Sequence, residues 1–128
     1  MPAINHRFDG KRVLADLNAL RAIGAYKSGV HKPTFSEPHL RSLDWLAARL
    51  PDADLTATID GIGNVFGSST KAGPKLLAGS HLESQNHAGW LDGPLGVIYA
   101  LEAARVINRD PGINGAVEVA AWCDEEGH

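Results

Sequence analysis

The chain has little that would commit it to a cell surface, a membrane or a nucleic acid. Of its 128 residues one is cysteine, Cys123, so no internal disulfide can form and a reducing compartment is expected. Twelve lysines and arginines stand against 15 aspartates and glutamates, for a formal net charge of -3. The cations are scattered, so no surface tracks a phosphate backbone and a nucleic-acid partner is not expected. No apolar run reaches the roughly 18 residues needed to span a bilayer, and the opening MPAINHRFDG lacks the apolar stretch of a secretory signal. A cytoplasmic protein with no membrane partner is the expectation. Internal repeats, low-complexity tracts and linkers are also missing. With 44% hydrophobic and 21% charged residues, the composition is that of one globular domain or part of one.

What is present reads as an α/β pattern. Val13, Leu14, Leu17, Leu20 and Ile23 share a helical face within residues 11–23, and Gly24 offers a stop. Ser36 is a capping signal, Pro38 suits a first turn, and Leu40, Leu43, Leu46 and Leu50 continue a second helix until Pro51. LTATID, NVFGS and KLLAGS then read as three strands, the first two placed to pair. From Gly93 the apolar spacing is helical as far as Ile107, and the run AVEVAAWC follows as a further strand. A strand, crossover helix and strand from Lys75 to Cys123 implies a parallel pair, which gathers ligands where the loops leave the strand ends.

Three places on that edge carry chemistry. His81 lies just beyond KLLAGS, Asp92 precedes Gly93-Pro94 at a helix start, and Glu125-Glu126 lies just beyond AVEVAAWC. An imidazole and several carboxylates at one edge suit a divalent ion such as zinc, manganese or cobalt, and an aspartate can bridge two. One of two adjacent glutamates can ligate while the other faces substrate and takes a proton from water. Each residue alone also has a plain structural explanation. Asp92 could be an ordinary N-cap, His81 a loop histidine bonded to backbone, and the glutamates a solvated loop end. Their joint occurrence at consecutive strand ends favours a site. His6, His31, His39, His87 and His128 are expected at the surface. Cys123 reads as a small buried hydrophobe rather than a nucleophile, and Trp45, Trp90 and Trp122 as packing residues.

The blocks GVHKPTFS, IDGIGNVFG, GSHLES, AGWLDGPLGVIYALEAAR and CDEEG, in this order, resemble the hydantoinase/carbamoylase-type amidases, within the wider group of two-metal metallopeptidases and aminoacylases. The resemblance implies the N-terminal portion (residues 1–128) of a two-metal exopeptidase-like catalytic domain, with a mixed sheet flanked by helices. It implies two divalent ions (zinc, manganese, cobalt or nickel), held by His81, by Asp92 as the bridge and by Glu126, with Glu125 as general base. The implied reaction is hydrolysis of a linear amide or ureido C–N bond in a small molecule, an N-carbamoyl-L-amino acid or related ureido acid first. Another aminoacylase or dipeptidase of the wider group, or a non-catalytic metal-binding module, are the alternatives. Where the family usually has an aspartate buttressing the metal histidine, this chain has Glu83, one methylene longer. The loop of residues 85–89 also departs from the commoner pattern. The family's two further histidine ligands and its lid domain, through which the full-length protein is expected to form a homodimer, are absent. The isolated chain is therefore expected to be inactive, with strand edges left uncovered and a tendency to associate.

Overall fold

The computed structural model describes residues 8–127. In chain order the elements are α1 (Gly10–Ala22), β1 (Ala25–Tyr26), β2 (Gly29–Val30), α2 (Glu37–Arg49), a 3-10 turn (Leu50–Ala53), β3 (Thr56–Ile59), β4 (Val65–Ser68), β5 (Lys75–Ser80), α3 (Pro94–Ile107) and β6 (Ala116–Ala121). The two-residue hairpin of β1 and β2 falls in a stretch with no strand signal; it is too short to leave an alternating pattern. His6 and His128, expected at the surface, lie outside the described residues.

The main sheet has the order β3-β4-β6-β5. β3 and β4 form the expected antiparallel pair, and β4 pairs antiparallel with β6. β5 and β6 run parallel from Lys75↔Ala116 to Ser80↔Ala121, as the crossover through α3 requires. Both strands therefore stop level with one another, and residues 81–93 and 122–127 leave from the same edge.

Local chemistry accounts for the elements that matter to the site. Asp9 caps α1 by accepting the Arg12 N–H, and Ser36 caps α2 by accepting the His39 N–H. Of the apolar face expected for α1, Leu17 and Leu20 are buried while Leu14 is exposed; Leu40 of α2 is likewise exposed. These two leucines sit at the rim of their stripes, where the helix turns away from the core. α3 packs on β5 and β6, and α1 lies against α3. Polar groups fix that last contact: Arg12 donates to both carboxylate oxygens of buried Glu102 (2.7 and 2.8 Å), and Arg105 donates to Asp16 (2.6 Å). Burial works against the Glu102 charge, but Arg12 and the Asp9 N–H outweigh it and hold the carboxyl below its usual range. The core joins Leu17, Leu20, Leu43 and Leu46 from the first two helices and Leu50 of the 3-10 turn to Ile98 and Leu101 of α3 and Val119 of β6. No described helix is long and apolar enough to cross a membrane.

Candidate metal centre

His81 is the first residue after β5 and its side chain is almost fully buried. Its Nδ1 lies 2.9 Å from the Glu83 carbonyl oxygen. A carbonyl only accepts, so Nδ1 carries the hydrogen and Nε2 of the neutral ring presents a bare lone pair. Three carboxylates converge on that nitrogen: Glu125 Oε2 at 3.3 Å, Asp92 Oδ1 at 3.6 Å and Glu126 Oε1 at 3.9 Å. A lone pair set among carboxylate oxygens is mutually repulsive unless a positive charge sits between them, and a divalent cation meets that need. The donor set thus fits a metal. One ligand atom from each of His81, Asp92 and Glu126 lies within 4.8 Å of the others, and the same holds for His81, Glu83 and Glu125. Both carboxylates of the first group face the bare nitrogen, as does Glu125 of the second. The Glu83 carboxylate instead lies near the opposite ring nitrogen, with Oε1 3.5 Å from Nδ1, while the Nδ1 hydrogen goes to the Glu83 backbone carbonyl.

Asp92 does not cap α3. The N-cap position belongs to Gly93 and no side chain bonds there, so the structural explanation for Asp92 falls away and its exposed carboxylate is left to face His81. Gly93 itself is required: its φ is +94° and a Cβ there would come within 2.5 Å of the His81 carbonyl oxygen and 2.6 Å of Nδ1. The start of α3 is thereby pressed against the imidazole.

Glu126 is the most buried of the converging carboxylates, its side chain only 15% exposed. Its N–H donates to Glu83 Oε1 (3.2 Å), and Gln85 Nε2 donates to its Oε2 (3.0 Å), which leaves Oε1 for the centre. The Glu125 side chain is 56% exposed, in reach of His81 and open to solvent. Cys123 stands behind this loop. Burial, followed by the charges of Glu83, Asp124 and Asp60, pushes its thiol above the ordinary range, so it stays protonated and does not act as a nucleophile.

The remaining sequence blocks hold the two loops in place. Residues 30–34 touch both. Val30 and Ala88 exchange backbone hydrogen bonds (2.9 and 3.0 Å), Ser84 N–H donates to the Lys32 carbonyl (2.9 Å), Lys32 N–H donates to Ser84 Oγ (2.9 Å), and the Thr34 hydroxyl donates to Asp124 (2.8 Å). The Lys32 side chain runs inward, where Nζ donates to the last-turn carbonyl of Leu20 in α1 (2.6 Å) and to Ser42 of α2 (3.1 Å). In the turn between β3 and β4, Asp60 accepts the N–H groups of Ile62 and Asn64 and the Asn64 amide; these bonds, the amide foremost, hold its carboxyl below the usual range. Asn64 then accepts the Cys123 N–H (2.7 Å).

Sequence reasoning missed several of these supports. His39, expected at the surface, is fully buried beside Glu83; as the third residue after a serine cap it looked like an ordinary first-turn position. His31 and His87 do lie near the surface, the latter stacked on Tyr26 with ring centroids 4.0 Å apart. Trp45 and Trp90 pack against the core as expected, Trp90 also under Arg21, whereas Trp122, expected to pack, is 44% exposed with its ring edge-on to Phe66.

No protein-family model matches the chain. An N-carbamoyl-L-amino acid amidohydrolase of Geobacillus stearothermophilus is 33% identical over 123 residues, covering 92% of this chain and 30% of that enzyme. Allantoate deiminase 1 of Glycine max is 33% identical over 111 residues, covering 78% of this chain and 22% of that protein. The crystal structure of a hydantoinase/carbamoylase family amidase from Burkholderia phymatum superposes with a TM-score of 0.90 at 49% identity, over 94% of this chain and 30% of that one. The chain thus spans about a third or less of the length of the proteins it matches. Over that span, with the expected mixed sheet flanked by helices, it belongs with the hydantoinase/carbamoylase family of amidases.

Proposed function

We propose that this chain supplies the N-terminal part of the metal centre of a cytoplasmic, homodimeric amidohydrolase, one that cleaves a linear amide or ureido C–N bond in a small acid such as an N-carbamoyl-L-amino acid. The observation that carries the reading is the bare Nε2 of His81 facing Asp92, Glu125 and Glu126 at 3.3–3.9 Å. The names of the relatives support the substrate class. His81, Asp92 and Glu126 would hold the cations, with Asp92, the most exposed of the three, placed to bridge two. When bound, two divalent ions polarise the substrate carbonyl and acidify water. Glu125 takes a proton from the attacking water as its oxygen bonds to the carbonyl carbon, and returns it to the nitrogen as the C–N bond breaks. For a carbamoyl substrate the products are an amino acid, carbon dioxide and ammonia. Further ligands and the groups that bind the substrate carboxylate come from outside these 128 residues.

Cobalt(II) titration followed by its visible absorption tests the centre. The wild-type chain should take up cobalt, and His81→Ala, Asp92→Asn and Glu126→Gln should each weaken uptake by at least about ten-fold, while Glu125→Gln should not. Absence of uptake by the wild type would sink the metal reading. Ammonia release from N-carbamoyl amino acids should be undetectable with this chain alone; turnover by it would refute the claim that the site is completed elsewhere.

A further inference from the structure

The buried histidine of α2 has no part in the chemistry above, yet it lies against the centre. His39 is 0% exposed. Its Nδ1 accepts the Phe35 N–H at 3.0 Å, so in the neutral ring the hydrogen is on Nε2. Phe35 has a φ of 61°, in the left-handed region, and its N–H donates forward to His39 four residues on. On the other side of the ring, Nε2 faces Glu83 Oε2 at 3.9 Å, and both side chains are fully buried. That oxygen of Glu83 has no hydrogen-bond partner among the described residues, whereas Oε1 accepts the Glu126 N–H and lies against His81 Nδ1. A buried carboxylate oxygen is costly unless a donor is aimed at it, and His39 Nε2, at 3.9 Å short of a hydrogen bond, is the ring nitrogen that faces it. An aspartate at position 83 would end one bond short of this contact, so the longer side chain and His39 fit one another.

We propose that His39 is a positioning residue of the centre: by setting Nε2 against the Glu83 carboxylate it restrains residue 83, whose backbone carbonyl holds the hydrogen of His81 Nδ1, and so aims the lone pair of His81 at Asp92 and Glu126. The statement about aim concerns the chain itself; its consequence for a cation rests on the function proposed above.

Two substitutions separate reach from folding. The His39→Asn amide sits near the old Nδ1, able to accept from Phe35 but too short for Glu83, whereas the His39→Gln amide reaches the place of Nε2. Imidazole nitrogen NMR of the metal-free chain reads the His81 tautomer. Wild type and H39Q should keep a single form with hydrogen on Nδ1, and H39N should show mixed tautomers with an unchanged far-UV spectrum. Cobalt affinity should fall about ten-fold in H39N, recover in H39Q, and fall no further when H39N is added to Glu83→Gln. His39→Leu, apolar and of similar bulk, serves if H39N does not fold. An H39N or H39L chain with the wild-type His81 tautomer overturns the proposal, as does a loss of affinity that persists in full on the Glu83→Gln background. If wild type takes up no cobalt, the metal reading fails while the His81 tautomer still decides this one.

Discussion

At the scale of single residues, the centre is built by deciding which atom of each side chain is left over. His81 gives Nδ1 to a carbonyl and keeps Nε2; Glu126 gives Oε2 to Gln85 and keeps Oε1. Lys32 shows the cost of such support. Its ammonium is buried with a carbonyl and a hydroxyl but no carboxylate, and burial, helped by Arg41, lowers its pKa from 10.5 to about 8. The sign follows from proton counting. Between these two values the unfolded chain holds more protons on this residue than the folded one, so stability rises with pH through that window and the gain is lost as pH falls through about 8. From about pH 7 to about pH 9 the contribution is about 1 kcal/mol. Ionisation of Cys123, whose folded pKa is raised, opposes it only towards the alkaline end. Denaturant melts of wild type and Lys32→Met at both pH values isolate the effect. Wild type should gain stability relative to the methionine variant, and equal pH slopes would show that Lys32 is already neutral or well solvated.

At the scale of elements, the approach of α3 to β5 sets the depth of the site. Gly93→Ala forces a Cβ against the His81 carbonyl and ring at a φ of +94°. We expect a loss of about 1–3 kcal/mol in unfolding free energy together with weaker cobalt binding, because the atom that must move is part of the ligand residue. Stability and affinity both at wild-type values would show that the helix start can back away from His81. The parallel pair, the crossover and the coincidence of His81, Asp92 and the glutamates at one edge were all legible in the sequence, because apolar periodicity fixes element type and chain order fixes which ends meet. The helical spacing also marked Leu14 and Leu40 as inward, since a periodicity describes a face and not where its rim falls. His39 and Gln85 were not legible as parts of the centre. Both act across the fold, His39 on a residue 44 positions away and Gln85 on one 41 away, and nothing in local pattern encodes such a contact. The hairpin of β1 and β2 escaped for another reason: its strands are two residues each and leave no alternation to read.

At the scale of the whole molecule, the strand carrying His81 is also the edge of the sheet. β5 pairs with β6 on one side only among the described residues. Leu76 is 66% exposed and Leu77 47%, one towards each face because neighbouring strand residues alternate. Natural edges are usually blunted by charge, proline or a bulge; here Lys75 at the first position is the one charged residue of the strand. Its second half does not compensate, since neither Gly79 nor Ser80 carries a charge. An edge with open backbone groups and two leucines recruits a further strand, so the chain on its own should associate as concentration rises, with sedimentation velocity showing a shift towards larger species. Leu76→Lys puts a charge on that edge at a residue that is already solvent-facing, and it should keep the chain monomeric without loss of the α/β far-UV spectrum. A wild-type chain that stays monomeric at high concentration and melts cooperatively at high temperature would mean that the edge is self-sufficient. If Leu76→Lys associates as readily as wild type, the sticking surface lies elsewhere. The stake is functional as well as colloidal: His81 is covalently the next residue after β5, so whatever covers this edge also restrains the position of the imidazole. Covering it should therefore raise cobalt affinity, whereas association through another face should leave that affinity unchanged.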